Sequence, residues 1–146
     1  MKYFVFTSSL LLGACSVTTT APTSYFDNTM DIIEKSEALA PAGLAGQFQL
    51  TITQTSKHHN NIYLNTHDDY RDRRNVSVYI PSRLKNEIEM YYGQEPEGFF
   101  KGKTIVIRGE AKRKKISLIC NGRETSIYYF QTHIDVSTLD QINVIN

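Results

Sequence analysis

The sequence predicts a mainly β domain, a small barrel with an N-terminal helix and one short helix between its third and fourth strands. Three observations predict it. Apolar and polar residues alternate through 48–53, 76–80 and 104–107, the period of strands with one buried face. Residues 28–40 and 83–93 switch to helical spacing. The order of these segments, three strands, a helix and then further strands in about 100 residues, suits a small curled sheet.

The chain opens with Met1-Lys2, a diluted apolar run to Leu12, and then Gly13, Ala14 and Cys15. That run is shorter than the about 20 apolar residues a permanent transmembrane helix needs, and it has the charge layout of a secretory leader. Leu12-Gly-Ala-Cys15 resembles the processing box of bacterial lipoproteins. The resemblance implies a signal peptide at 1–14, diacylglycerol and acyl (palmitate-type) chains on Cys15, and, with Ser16 following, anchorage at the periplasmic face of an outer membrane. Residues 15–25 carry no charge and much Ser and Thr, a composition suited to a flexible tether. Residues 26–146 then form a single domain.

Removing residues 1–14 would leave 132 residues, enough for one core without staples. The chain has 16 basic and 15 acidic side chains; loss of Lys2 balances them. A neutral total argues against an all-round polyanion binder and leaves room for a local basic face. With Cys15 lipidated, Cys120 has no partner, and its position in the apolar phase of residues 116–120 predicts a buried free thiol.

Asn28 is the expected N-cap of the first helix and Pro41 its stop, with Phe26, Met30, Ile33 and Leu39 as the apolar stripe. Phe48, Leu50 and Ile52 face the core from the first strand. Residues 55–61, TSKHHNN, read as a turn before Ile62-Tyr63-Leu64-Asn65, and residues 66–75 as a charged loop. Residues 76–80 form the third strand. Ser82 caps a helix in which Leu84, Ile88 and Tyr91 align and Gly93 supplies the exit. GQEPEG is read as a loop, and Phe99 and Phe100 tuck beneath the sheet. A long strand starts at Thr104, with Gly109 where curvature needs a bend or bulge. Residues 112–120 either continue it or turn back as its partner. The last strand covers about 126–136, and Ile142, Val144 and Ile145 make a final edge or bend.

This order of elements is the one expected of an OB barrel. Tyr63-Leu-Asn65, Val76-Ser-Val78 with Ile80, and the strand from Lys101-Gly-Lys103 to Gly109 resemble strands of small bacterial OB proteins related to thermonucleases and tRNA-anticodon-binding barrels. The resemblance implies an OB fold across residues 46–145. Nuclease members need cation-holding carboxylates and transition-state arginines; Asp68, Asp69, Asp72, Arg71 and Arg108 do not map onto that pattern residue by residue, so no nuclease site is carried over.

Residues 67–74, HDDYRDRR, are the densest candidate site. Three carboxylates could hold a hard cation, but the arginines compete for them and no calcium-loop spacing is present. A salt-bridged turn or a recognition patch remains, the patch using Tyr70, Arg71, Arg73 and Arg74, since Tyr and Arg are frequent interface anchors. His58 and His59 are adjacent and point apart on a strand, so they read as a polar turn. His133 shares a face with Gln131 and with Asp135, which could orient its ring. No nucleophile joins them, and the chain is read as a non-enzyme without a cofactor or resident metal. Residues 101–123 hold eight basic and one acidic side chain, including Lys112, Arg113, Lys114 and Lys115. The expected function is therefore a non-catalytic envelope lipoprotein binding a protein or envelope polymer through the 67–74 loop and the 112–115 segment. A single-stranded nucleic-acid-binding or nuclease-like OB protein, with bases stacked on Tyr63, Tyr79, Tyr128 and Tyr129, and a purely structural lipoprotein are the alternatives.

Overall fold

The structure is a computed structural model and describes residues 23–146. The leader, Cys15, Ser16 and the tether up to residue 22 lie outside the described residues. The elements are β1 (Tyr25–Phe26), α1 (Thr29–Leu39), β2 (Leu44–Thr51), β3 (Gln54–His58), β4 (Asn61–Asn65), β5 (Val76–Ile80), α2 (Lys85–Tyr92), α3 (Pro96–Phe100), β6 (Thr104–Cys120), β7 (Arg123–Asp135) and β8 (Ile142–Val144).

Asn28 caps α1 as its sequence position predicts, accepting from the Met30 and Asp31 N–H groups at 2.9 and 3.3 Å. The buried stripe of α1 differs from the expected one. Ile32, Ile33 and Ser36 face the core, while Met30 and Leu39 are exposed. Ser36 is satisfied inside by the Ile33 carbonyl and by Thr132 Oγ1, so a polar residue sits on the packed face without an unmet hydrogen bond.

The strands form one sheet in the order β1-β2-β6-β7-β5-β4-β3, with β8 beside β6. This overturns the barrel expectation: the sheet is open, ending at β1 and β3, and among the described residues no ladder joins those ends. The break lies at Ile52-Thr53. There the Ile52 backbone bonds to Lys103 and Gly102, and the Thr53 N–H donates to the Asn65 carbonyl. The kink turns the chain from pairing with β6 to pairing with β4, so the two ladders are separate. An OB barrel, and the OB-family resemblance with it, is not supported. The mainly β composition holds.

The helix expected between the third and fourth strands lies between β5 and β6, because residues 54–58 are a strand rather than part of a turn, and β1 adds another. Ser82 starts a 3-10 turn without capping through its side chain. Gly93 ends α2 at φ +73°, donating to Glu89 O at 2.8 Å, a left-handed conformation that favours glycine. Leu84 and Ile88 are buried, but Tyr91 is exposed and Tyr92 takes the inner position, stacked on Phe99. The segment read as a loop before Phe99 contains α3, whose Phe100 is fully buried.

Two hairpins use paired positive-φ residues. His59 and Asn60 (φ +47° and +64°) join β3 to β4, and Asn121 and Gly122 (φ +51° and +74°) join β6 to β7. These are the dihedral signs of two-residue type I′ turns, whose twist matches that of the strands. Gly109 makes no bulge. It pairs with Gly46 in regular register, and the irregularity of β6 falls between Ser117 and Ile119. Beyond Ala111 and Thr132 neither β6 nor β7 has a second strand neighbour among the described residues. The two therefore continue as a two-stranded arm of about 25 Å at the usual rise per residue.

The main core lies on one face of the sheet, where Phe48, Leu50, Ile62, Leu64, Val78, Ile80, Ile105, Ile107 and Ile134 meet Ile32 of α1, Ile88 of α2 and Phe100 of α3. The other face of β4, β5 and β7 carries the site.

Candidate binding cleft

Strand pleating decides which side chains share that second face. Tyr63 and Asn65 on β4 stand opposite Tyr79 and Ser77 on β5; Ser77 and Tyr79 stand opposite His133 and Asp135 on β7. Continuing across, His133 pairs with Lys112, Gln131 with Lys114 and Tyr129 with Ile116. Of these, Tyr63, Asn65, Ser77, His133, Gln131, Tyr129 and Ile116, together with the 66–75 loop and the β3–β4 hairpin, line a cleft of about 530 Å³, a size suited to a small ligand or one or two units of a polymer. Lys57, His58, Tyr70 and Arg71 form its rim, and Ile116, Leu118 and Ile119 extend its wall along the arm.

The floor is a network of buried polar groups. Asn75 Nδ2 donates to Asn65 Oδ1 at 3.1 Å, Ser77 Oγ at 2.9 Å and the Tyr70 carbonyl at 3.2 Å. Its oxygen accepts from the His67 N–H at 3.2 Å, and Ser77 Oγ donates to Asn65 Oδ1 at 2.6 Å. This arrangement pins the loop to the sheet. Gln131 Nε2 also donates to the Tyr70 carbonyl, which fixes Gln131 Oε1 toward His133 Nε2 at 2.9 Å.

His133 is 6% exposed, and its imidazole pKa is pushed down to about 4, first by burial and then by the Lys114 cation, against the opposing pull of Asp135. Asp135 does not orient the ring, contrary to the expectation: both its oxygens accept from Lys114 Nζ at 2.7 Å. Burial raises the pKa of Tyr63, with Tyr79 and Asp135 adding to it; burial, then Tyr70, raises that of Tyr129. Both phenols stay protonated through the physiological range.

The 67–74 loop is divided. Tyr70 and Arg71 face the cleft, with Arg71 Nε donating to the Tyr70 hydroxyl at 3.0 Å; that bond is the main cause of the raised Arg71 pKa. Arg73 and Arg74 face a shallow depression beside Met30, Ile33, Glu34 and Glu37 of α1. Arg74 binds both oxygens of Asp72, at 2.9 and 2.8 Å, and that contact, with the Arg74 backbone N–H, holds the Asp72 carboxyl well below the usual carboxylate range. Asp69 and Asp72 also accept the Arg71 and Arg74 N–H groups at 2.9 and 2.8 Å. Among the described residues, no group of three His, Cys, Asp or Glu is placed to hold a metal ion.

The basic run 112–115 is divided as well. Lys112 and Lys114 project on the cleft face, Arg113 and Lys115 on the other. Lys112 pairs with Glu110 at 2.8 Å and Arg113 with Glu37 at 3.8 Å. Arg113 lies 3.6 Å from the Phe130 ring centroid and Lys115 4.3 Å from that of Tyr128. Of the proposed stacking tyrosines, Tyr63 and Tyr129 line the cleft, Tyr79 stands beside Tyr63, and Tyr128 is on the opposite face. His58 and His59 sit at the hairpin end with ring centroids 4.1 Å apart. Cys120 is exposed near the tip of the arm, not buried as its apolar neighbours predicted. Asn65, Ser77 and Asn75 were missed as site residues; the available signal, for Asn65 and Ser77, was a polar residue at a strand position beside buried apolar ones.

No protein-family model matches the chain. No curated protein matches it. Among solved structures, a protein from Leishmania major Friedlin assigned as an aspartyl-tRNA synthetase aligns with a TM-score of 0.42 and 10% identity, covering 92% of this chain and 23% of that one. The chain thus spans about a quarter of that protein's length, and so distant a likeness assigns neither family nor activity.

Proposed function

We propose that the chain is a non-catalytic, lipid-anchored envelope protein that binds an anionic polymer in the cleft. One observation carries the reading: among the described residues, the cleft lining includes Lys57 and Arg71 and no Asp or Glu. Charges at the mouth of a low-dielectric recess focus the field and favour ligands of opposite sign. Tyrosine rings and side-chain amides are suited to a ring-bearing polar polymer, because each offers contact area together with a hydrogen-bonding tip. The loop enters this reading through Tyr70 and Arg71; Lys112 and Lys114 share the face but lie outside the lining, paired with Glu110 and Asp135. The anchor is proposed from Leu12-Gly-Ala-Cys15 alone.

Calorimetric titration with an acidic and a neutral oligosaccharide of equal length tests the binding reading. The acidic one binds more tightly, weakens as salt rises, and loses about fivefold or more with Arg71→Ala. Equal affinity for the two contradicts the reading. A single-stranded oligonucleotide that outcompetes both favours the nucleic-acid alternative.

A protein partner is the second reading, favoured by the arm. Ile119 is 72% and Ile127 63% exposed, more apolar surface than an isolated ribbon needs. Crosslinking pull-downs with Ile119→Ser and Ile127→Ser test it: recovery of the same partners by wild type and variants removes it.

A further inference from the structure

We infer that the floor of the cleft reads an acetamido group, so the ligand is an acidic glycan whose repeating unit carries an N-acetylated amino sugar. The inference rests on the anionic-polymer reading and adds what lies beneath the charged rim.

Hydrogen bonding fixes the state of two buried side chains. Gln131 Nε2 is committed to the Tyr70 carbonyl, so its Oε1 is the atom facing His133 Nε2. An acceptor there requires the His133 proton on Nε2 and leaves Nδ1 as a bare lone pair. Asn65 Oδ1 already accepts from Asn75 and Ser77, so Nδ2 of that amide is a donor without a partner among the described residues. Asn65 is 1% and His133 6% exposed, and both line the cleft. Water therefore reaches them only through it. Both residues open onto the cleft, so a guest there can supply one acceptor and one donor to the same floor.

Their placement matches a planar amide. Asn65 and His133 stand in register on either side of Ser77, about 10 Å apart at the backbone by the usual strand spacing. Only Ser77, with its small side chain, stands between them in register. An acetamido group presents both complements: its carbonyl accepts from Asn65 Nδ2 and its N–H donates to His133 Nδ1. Tyr63 flanks this floor and can cover the sugar ring, while Arg71 and Lys57 reach the acid group of the neighbouring unit.

The experiment uses the full chain labelled with 15N in histidine, titrated with four probes: a hyaluronan tetrasaccharide (acid and acetamido), tetragalacturonate (acid only), chitotetraose (acetamido only) and a glutamate tetrapeptide. The expected result is hyaluronan binding about tenfold tighter than tetragalacturonate, the size of one buried hydrogen-bonded pair, with the His133 Nδ1 resonance moving upfield as it accepts a hydrogen bond. Tetragalacturonate matching hyaluronan overturns the acetamido inference and leaves the anionic reading standing. Chitotetraose matching hyaluronan overturns the anionic reading on which the inference rests. Tighter binding of the peptide, or no binding of any probe, overturns both.

Discussion

Asn75 ties three segments together with one side chain, reaching Asn65 on β4, Ser77 on β5 and the backbone of Tyr70 and His67 in the loop. Asn75→Ala leaves several buried groups unmatched and is expected to cost about 2–3 kcal/mol in denaturant unfolding, with the loop loosened. A change within about 0.5 kcal/mol would show that the network is not coupled to stability. His133 sets a pH dependence. Its folded pKa of about 4 lies below the ordinary value of 6.5, so the unfolded chain takes up the proton first as pH falls. Stability from this group is full above about 6.5 and declines as pH drops toward 4, by about 3 kcal/mol at most. Asp72, also depressed, adds its loss only at more acid pH. Unfolding curves of wild type and His133→Gln between pH 7 and 4 check this: the variant should lose much of the slope in that window. The sequence shows that His133, Gln131 and Asp135 share a face; it does not show which partner wins. Lys114 occupies Asp135, and that choice depends on side-chain reach across two strands.

At the scale of elements, local chemistry was legible and pairing was not. Asn28, Pro41 and Gly93 mark helix ends by capping and backbone preference, and the alternation through Phe48, Leu50 and Ile52 marks a strand. Asn121-Gly122 is the strongest short-range hairpin signal in the chain; read as such, it places the β6–β7 turn directly. The split of Lys112–Lys115 over two faces also follows from the two-residue period, once the strand is known to continue. Residues 55–61 read as a turn because they are polar, yet 55–58 belong to β3, a solvated edge strand that tolerates that composition. The arm should be the least protected part of the sheet. In hydrogen exchange, amides of 114–128 are expected to exchange well before those of 105–107 and 133–134, because a two-stranded ribbon is marginal by itself. Equal protection would mean that something covers the arm. Within the helical segment, Phe100→Ala removes a fully buried ring and should cost about 3–5 kcal/mol by calorimetry or denaturant.

For the whole molecule, whether a curved sheet closes depends on how far its end strands turn toward each other, and alternation and element order carry no measure of that. The kink at Ile52-Thr53 leaves the strand path open, with a polar recess on the face away from the main core. The proposed arrangement places that recess on a tethered domain, within reach of the polymers of the envelope. Cys15→Ser in a native host is expected to accumulate unprocessed chain and empty the membrane fraction; unchanged membrane retention would remove the anchor from the account. The binding claim is met most directly by mapping backbone amide shifts of the full chain as the acidic oligosaccharide is added. The account predicts that the shifts concentrate at 56–58, 63–65, 70–71 and 129–133, with 73–74 and 113 and 115 unmoved. Shifts centred on 73–74 and α1, or spread along 112–115 without the cleft, would contradict it.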